Sequence, residues 1–173
     1  MTQFSDTFYY LWMYLFVFSF PAAFIGLIVL MYAKKNEPSN KNKLYLRGSF
    51  LIAQLFFVGI SAVCLQGFTL SSIRSELRKH LRQSDLSIKI DDSIADSMLI
   101  NQLINDLQTI RGISPHHSHT IKSINVVILA GKESINLSLE QDSQNETEYR
   151  VFWDKYRLTK TTEVGSINTD CFK

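Results

Sequence analysis

Two long apolar runs set the pattern of this chain before any single residue does. No charged residue occurs from Thr7 to Ala33, and none from Gly48 to Ile73. Each run exceeds the roughly 18–20 apolar residues that cross a hydrocarbon core of about 30 Å. The pattern predicts an N-terminal tail (1–6), a transmembrane helix over 7–33, a polar connection over 34–47 and a second transmembrane helix over 48–73. In the first run Tyr9, Tyr10, Trp12 and Tyr14 stand at one end and Tyr32 at the other. Aromatic rings with polar tips favour the headgroup level, so the two groups read as interfacial belts. Pro21 and Gly26 disfavour a soluble helix but are common in membrane helices. A buried core helix seldom runs this long without a charge. A cleaved signal peptide fits poorly too, because "MTQFSD" has no Lys or Arg and the run outlasts an ordinary signal core. The second run carries Gln54, Ser61, Cys64 and Gln66, and small residues at Gly48, Ser49, Ala53, Gly59, Ser61, Ala62 and Gly67. Small residues let helix backbones approach closely, which points to a hairpin of the two helices. A homo-oligomeric pore lined by Gln54 and Gln66 is the alternative. Neither run has an ionisable group of the kind that marks a transport or proton path.

Beyond the second run the period changes. Ile73, Leu77 and Leu81 recur every four residues through "SSIRSELRKHLRQSD", predicting a juxtamembrane amphipathic helix (74–83) whose apolar stripe rests at the interface, with Arg74, Arg78, Lys79 and Arg82 near anionic headgroups. From Ser84 to Lys173 a small soluble domain is expected. "LSIKI" alternates Leu86, Ile88 and Ile90 with polar residues, the period of a half-buried strand. "SIADSMLINQLINDLQTI" places Ile100, Leu103, Ile104, Leu107 and Ile110 on one helical face, with Asp91, Asp92 or Ser93 as the N-cap and Gly112 as the stop. "SINVVILA", "SINLSLE", "EYRVFWDKYRL" and "EVGSINTDCF" follow as strands separated by turn residues. Strands grouped around one helix, β-α-β-β-β-β, argue for an α+β domain with a mainly antiparallel sheet.

Charge then bears on orientation. The connection holds Lys34, Lys35, Lys41, Lys43 and Arg47 against one acid, Glu37, while the N-terminal tail has Asp6 and no base. Short loops rich in Lys and Arg stay in the cytoplasm. This sets the expectation of a two-pass protein of the bacterial inner membrane with its N-terminus and C-terminal domain in the periplasm. The bases at Arg74, Arg78, Lys79 and Arg82 argue the other way, since they resist translocation. From Arg74 onward 13 Lys/Arg meet 14 Asp/Glu, so the domain is near neutral and carries no electrostatic footprint for nucleic acid. The two cysteines, Cys64 and Cys171, show no metal-ligand or redox spacing.

Candidate chemistry is sparse. "SPHHSHT" gathers His116, His117 and His119, and neutral imidazole is a common ligand for zinc, copper or nickel. The spacing matches no established metal motif. A solvated loop, or one whose charge responds to pH, is the alternative. In the aromatic strand, Tyr149, Val151 and Trp153 share one face, and Arg150, Phe152 and Asp154 the other. Arg150, Phe152, Lys155, Tyr156 and Arg157 form a candidate protein-binding patch, because aromatics and Arg are enriched at interface hot spots. There is no G-x-S-x-G, no glycine-rich phosphate loop and no zinc-deaminase pattern, so neither an enzyme nor a cofactor is expected. The expected partners are the lipid bilayer, another protein at the membrane, and further copies of the chain through its apolar helices. The expected role is a membrane-anchored, non-catalytic binding domain of the immunity, exclusion or envelope-accessory type. Two alternatives remain: a sensor–effector whose cytosolic tail binds a ligand and clusters the hairpins, and a metal-binding module built on the three histidines.

Overall fold

The computed structural model describes residues 2–35, 38–83, 86–91, 93–94, 96–112, 119–130 and 133–172. The chain divides into two compact units, one built on residues up to Thr69 and one running from Leu70 to Lys173.

The first unit is a helical hairpin. Helix α1 spans Thr2–Ala33, and α2 spans Pro38–His80, so its first turns already include Lys41, Lys43 and Arg47. The connection is therefore much shorter than the 34–47 loop expected from charge alone. Pro38 opens α2, a position where its missing N–H costs nothing and its fixed φ suits the helix. Both helices are long and apolar enough to cross a membrane. They meet through small residues. A Cβ on Gly26 would fall 2.8 Å from the Gly48 carbonyl oxygen, and one on Gly48 would fall 2.7 Å from Leu30 Cγ. Gly59 lies against the Phe16 ring, and Trp12 Nε1 donates to the Val58 carbonyl at 3.1 Å. Of the small residues expected at the contact, Gly48 and Gly59 are there, whereas a Cβ on Gly67 would meet nothing within 4 Å. The exterior of the hairpin is apolar: Phe18, Phe24, Met31, Phe50, Phe57 and Val63 all point outward. A water-soluble surface rarely carries so large a contiguous apolar area, and a core helix would bury these side chains.

The second unit is α+β. Strands β1 (Leu86–Ile90), β2 (Ser93–Ile94), β3 (Thr120–Ala130), β4 (Glu133–Asp142), β5 (Glu148–Trp153) and β6 (Gly165–Asn168) form one antiparallel sheet in the order β2-β1-β3-β4-β5-β6. Helix α3 spans Ser97–Gln108. The element order is the expected one with a two-residue strand added. That strand displaces the expected helix start. Asp91 adopts φ 45°, and its carboxylate accepts from Asn125 N at 3.0 Å, turning the chain back as a hairpin. The N-cap of α3 is Asp96, whose side chain accepts from Met98 N at 2.6 Å and Leu99 N at 3.4 Å. Asp91 and Ser93 do not cap it.

One face of the sheet carries the core. Ile88, Ile124, Val126, Ile128, Ile135, Leu137, Leu139, Tyr149, Val151, Trp153 and Ile167 are buried, together with Leu103, Leu107 and Ile110 from α3 and its exit. Ile73, Leu77 and Leu81 belong to the same cluster and are completely or almost completely buried in it. This corrects the expected juxtamembrane helix: the four-residue stripe packs in the domain core and does not rest at an interface. The domain accordingly begins at Leu70 inside α2, and not at Ser84. Arg78 explains part of the fit. Its Nε donates to the Gln108 carbonyl at 3.1 Å and its Nη2 to the Ile110 carbonyl at 2.8 Å, satisfying groups that the end of α3 leaves without intrahelical partners. Arg74 Nη1 donates to the Val164 carbonyl at 3.3 Å.

Candidate functional site

Helix α3 and the end of α2 cover one face of the sheet, and the residues that alternate with the core form the other. Across it run two polar rows set by strand register: Asn125 beside Ser138 beside Phe152, and Ser123 beside Glu140 beside Arg150 beside Ser166. Two depressions lie along this side. One, about 470 Å³, lies at the strand ends, lined by Glu133, Ser134, Asn136, Asp154 and Lys155 together with Ile135 and Trp153 of the core face. The other, about 240 Å³, is lined by Asn125, Val127, Asn136, Ser138 and Asp154 among others. They share Asn136 and Asp154, and polar and apolar surface line each of them in about equal measure, giving a mixed groove around these two residues. Its hydroxyls, amides and carboxylate can hydrogen-bond a ligand, while Phe152, half-buried in the neighbouring position, offers an apolar surface.

A charged cluster stands at the groove's end. Lys155 Nζ is 2.7 Å from Glu76 Oε1 and lies over the Trp153 and Tyr156 rings, 5.3 and 5.6 Å from their centroids. His80 sits edge-on to Trp153, with Nδ1 3.3 Å from Glu133 Oε2 and Nε2 3.8 Å from Glu76 Oε1. Burial alone raises the Glu76 carboxyl, but hydrogen bonds from Lys155, Thr2 and Tyr156 and the Lys155 charge outweigh it, bringing the group to about 2. Because the folded value lies below the ordinary 4.5, Glu76 contributes stability above that pH, and the contribution is lost as pH falls from about 4.5 towards 2. The Glu76→Gln variant is expected to melt at a lower temperature than the parent at pH 7 and to show a smaller loss on acidification across that window. Parallel losses in both proteins would remove Glu76 as the cause.

The residues singled out from the sequence are placed as follows. Tyr149, Val151 and Trp153 are buried on the core face, and Arg150 and Phe152 lie on the other. Tyr156 is also buried, so it does not join Phe152 in an exposed patch. Arg150 is held by Asp142 at 3.1 Å and Glu163 at 3.6 Å, and Arg157 is exposed. Lys34, Lys35, Lys43 and Arg47 are exposed and Lys41 is half-buried, while Lys79 and Arg82 are exposed at the end of α2 and just past it. His116 and His117 lie outside the described residues; His119 is exposed, and its backbone N–H donates to Ser143 Oγ at 3.2 Å. Among the described residues no group of three potential metal ligands comes together. Sequence reasoning missed Asn125, Asp154, Glu76 and His80 as site residues. The period-two pattern does mark Asn136, Ser138 and Glu140 as one polar face, but it cannot say which strands lie beside it.

Fold and face together define an α+β domain with helices on one side of an antiparallel sheet and an open polar side, carried by a chain with two long apolar helices. No protein-family model, curated protein or solved structure matches this chain.

Proposed function

We propose that the chain is a two-pass protein of the bacterial inner membrane that holds its N-terminus and its α+β domain in the periplasm. The domain is a non-catalytic binding module for a protein or ligand at the membrane surface, in the manner of an immunity, exclusion or envelope-accessory protein. The observation that carries the reading is the helix-free sheet face, with its groove around Asn136 and Asp154 and the neighbouring Phe152. Ligand sites are concave, largely preformed and mostly apolar, with a few placed polar groups that fix orientation.

Support for the membrane part comes from the outward apolar side chains of α1 and α2. Support for the orientation comes from the five bases at the turn of the hairpin. The rival bases lose some of their weight, because Arg74 and Arg78 have a structural use as donors to backbone carbonyls inside the domain.

The test is a pair of fusions after Lys173, one to alkaline phosphatase and one to green fluorescent protein. Active phosphatase with a dark fluorescent fusion is the expected result. The reverse pattern would remove the periplasmic reading and favour a cytosolic sensor–effector. For the binding surface, a photo-crosslinking residue at Phe152 is expected to capture a specific partner that one at the exposed Lys160, outside the groove, does not. Equal capture from both sites would count against the sheet face.

A further inference from the structure

Near the start of α2 a cavity of about 520 Å³ is lined by Leu46, Arg47, Phe50 and Leu51. Its walls are almost entirely hydrocarbon, Arg47 included, so that residue lines it with the stem of its side chain. Leu46, Phe50 and Phe57 are 74%, 70% and 67% exposed, and Lys43 and Arg47 are exposed as well. At 3.6 residues per turn, Lys43, Leu46, Phe50 and Phe57 fall within an arc of about 60°, and Arg47 lies about 40° beyond it, one turn from Lys43. The result is a two-part surface. Two cations stand at the polar end, and an apolar track runs from them along the helix in the direction of the predicted span. Neither Lys43 nor Arg47 has an ion-pair or hydrogen-bond partner among the described residues.

We infer that this surface is a binding site for one anionic phospholipid, its phosphate held between Lys43 and Arg47 and an acyl chain lying on Leu46, Phe50 and Phe57. The charge requires an anion. The apolar track next to it requires that the anion carry a hydrocarbon tail, because a free phosphate would leave Leu46 and Phe50 uncovered. Long basic side chains reach the headgroup level while their stems lie on the apolar surface. This inference rests on the membrane reading above and adds a specific lipid site to it.

The test uses the full-length protein in bilayer discs of equal phosphatidylglycerol and phosphatidylcholine, released into detergent and weighed intact so that retained lipids are counted by headgroup. Two bases near an anionic headgroup correspond to a preference for phosphatidylglycerol of roughly tenfold or more. The Lys43→Gln/Arg47→Gln variant is expected to fall to parity. Phe50→Ala should retain less of both lipids, because the acyl contact is lost. A Lys122→Gln/Lys160→Gln variant, with the same loss of charge in the other unit, should keep the parent's preference. Equal retention of both lipids by the parent, or an unchanged preference in the Lys43/Arg47 variant, would overturn the site. Displacement of the lipid by millimolar inorganic phosphate would also overturn it, in favour of a free-anion site. A chain that stays in solution without detergent and never enters the discs would instead sink the membrane reading, and this site with it.

Discussion

A fragment beginning at Ser84 will not fold cooperatively, whereas one beginning at Leu70 will. The first is the natural cut if the domain is taken to start where the amphipathic helix ends. It removes Ile73, Leu77 and Leu81, which belong to the same buried core as Leu107, Val151 and Trp153. Each such side chain is worth about 1.5–3 kcal/mol of burial, so the three together approach the roughly 5–15 kcal/mol that stabilises a whole domain. The cut also removes Arg78 and the Leu81 carbonyl, leaving the Gln108 and Ile110 carbonyls and the Gln108 side-chain amide without their partners. The shorter fragment should bind a hydrophobic dye, lose near-ultraviolet dichroism and melt without a clear transition, as a collapsed but loosely packed chain does. The longer fragment should melt in one transition. Matching cooperative melts from both fragments would show that the end of α2 is dispensable.

Gly165→Ala, the addition of a single methyl group, is expected to destabilise the domain measurably. A Cβ there would fall far inside van der Waals contact distance of the Arg111 carbonyl oxygen and 3.0 Å from Ile110 Cγ1. The neighbouring Ser166 exchanges two backbone hydrogen bonds with Arg111, at 2.9 and 3.3 Å, so the obstructing atom is main chain pinned in place and cannot step aside as a side-chain tip would. Overpacking of this kind costs about 1–3 kcal/mol. For a domain of this size that lowers the melting temperature by roughly 4–8 °C per kcal/mol. Gly67→Ala, in the hairpin unit, where a Cβ meets nothing within 4 Å, should leave the domain's melt unchanged. A Gly165→Ala melt within a degree or two of the parent would mean that β6 and the Arg111 segment move apart at little cost.

Local patterns were readable, and partnerships were not. The alternation in "LSIKI" locates β1 at Leu86–Ile90, and the alternation around Trp153 separates its buried face from its open one. Both follow from a period of two that every strand must obey. The start of α3 differs from the sequence expectation because Asp91 looks like a cap in sequence but is engaged by Asn125, a residue far along the chain, and Asp96 caps the helix. The stripe of Ile73, Leu77 and Leu81 was legible as a stripe. Its destination was not, because a lipid interface and a protein core make the same demand on an apolar face. The groove follows the same rule: Asn136 and Ser138 were visible as polar positions, but Asn125 and Asp154 join them only through strand pairing and the exit of β5.

The Arg111–Ser166 bridge has one more consequence, for how this domain can recognise anything. An exposed edge strand invites an incoming extended peptide to pair with it, main chain to main chain. At the β6 edge that invitation is withdrawn at its middle, because the N–H and C=O of Ser166 are already spent on the chain's own return from α3. A partner approaching from that side finds no ladder to extend. It must read side chains, which makes recognition a matter of surface chemistry and so open to change by single substitutions.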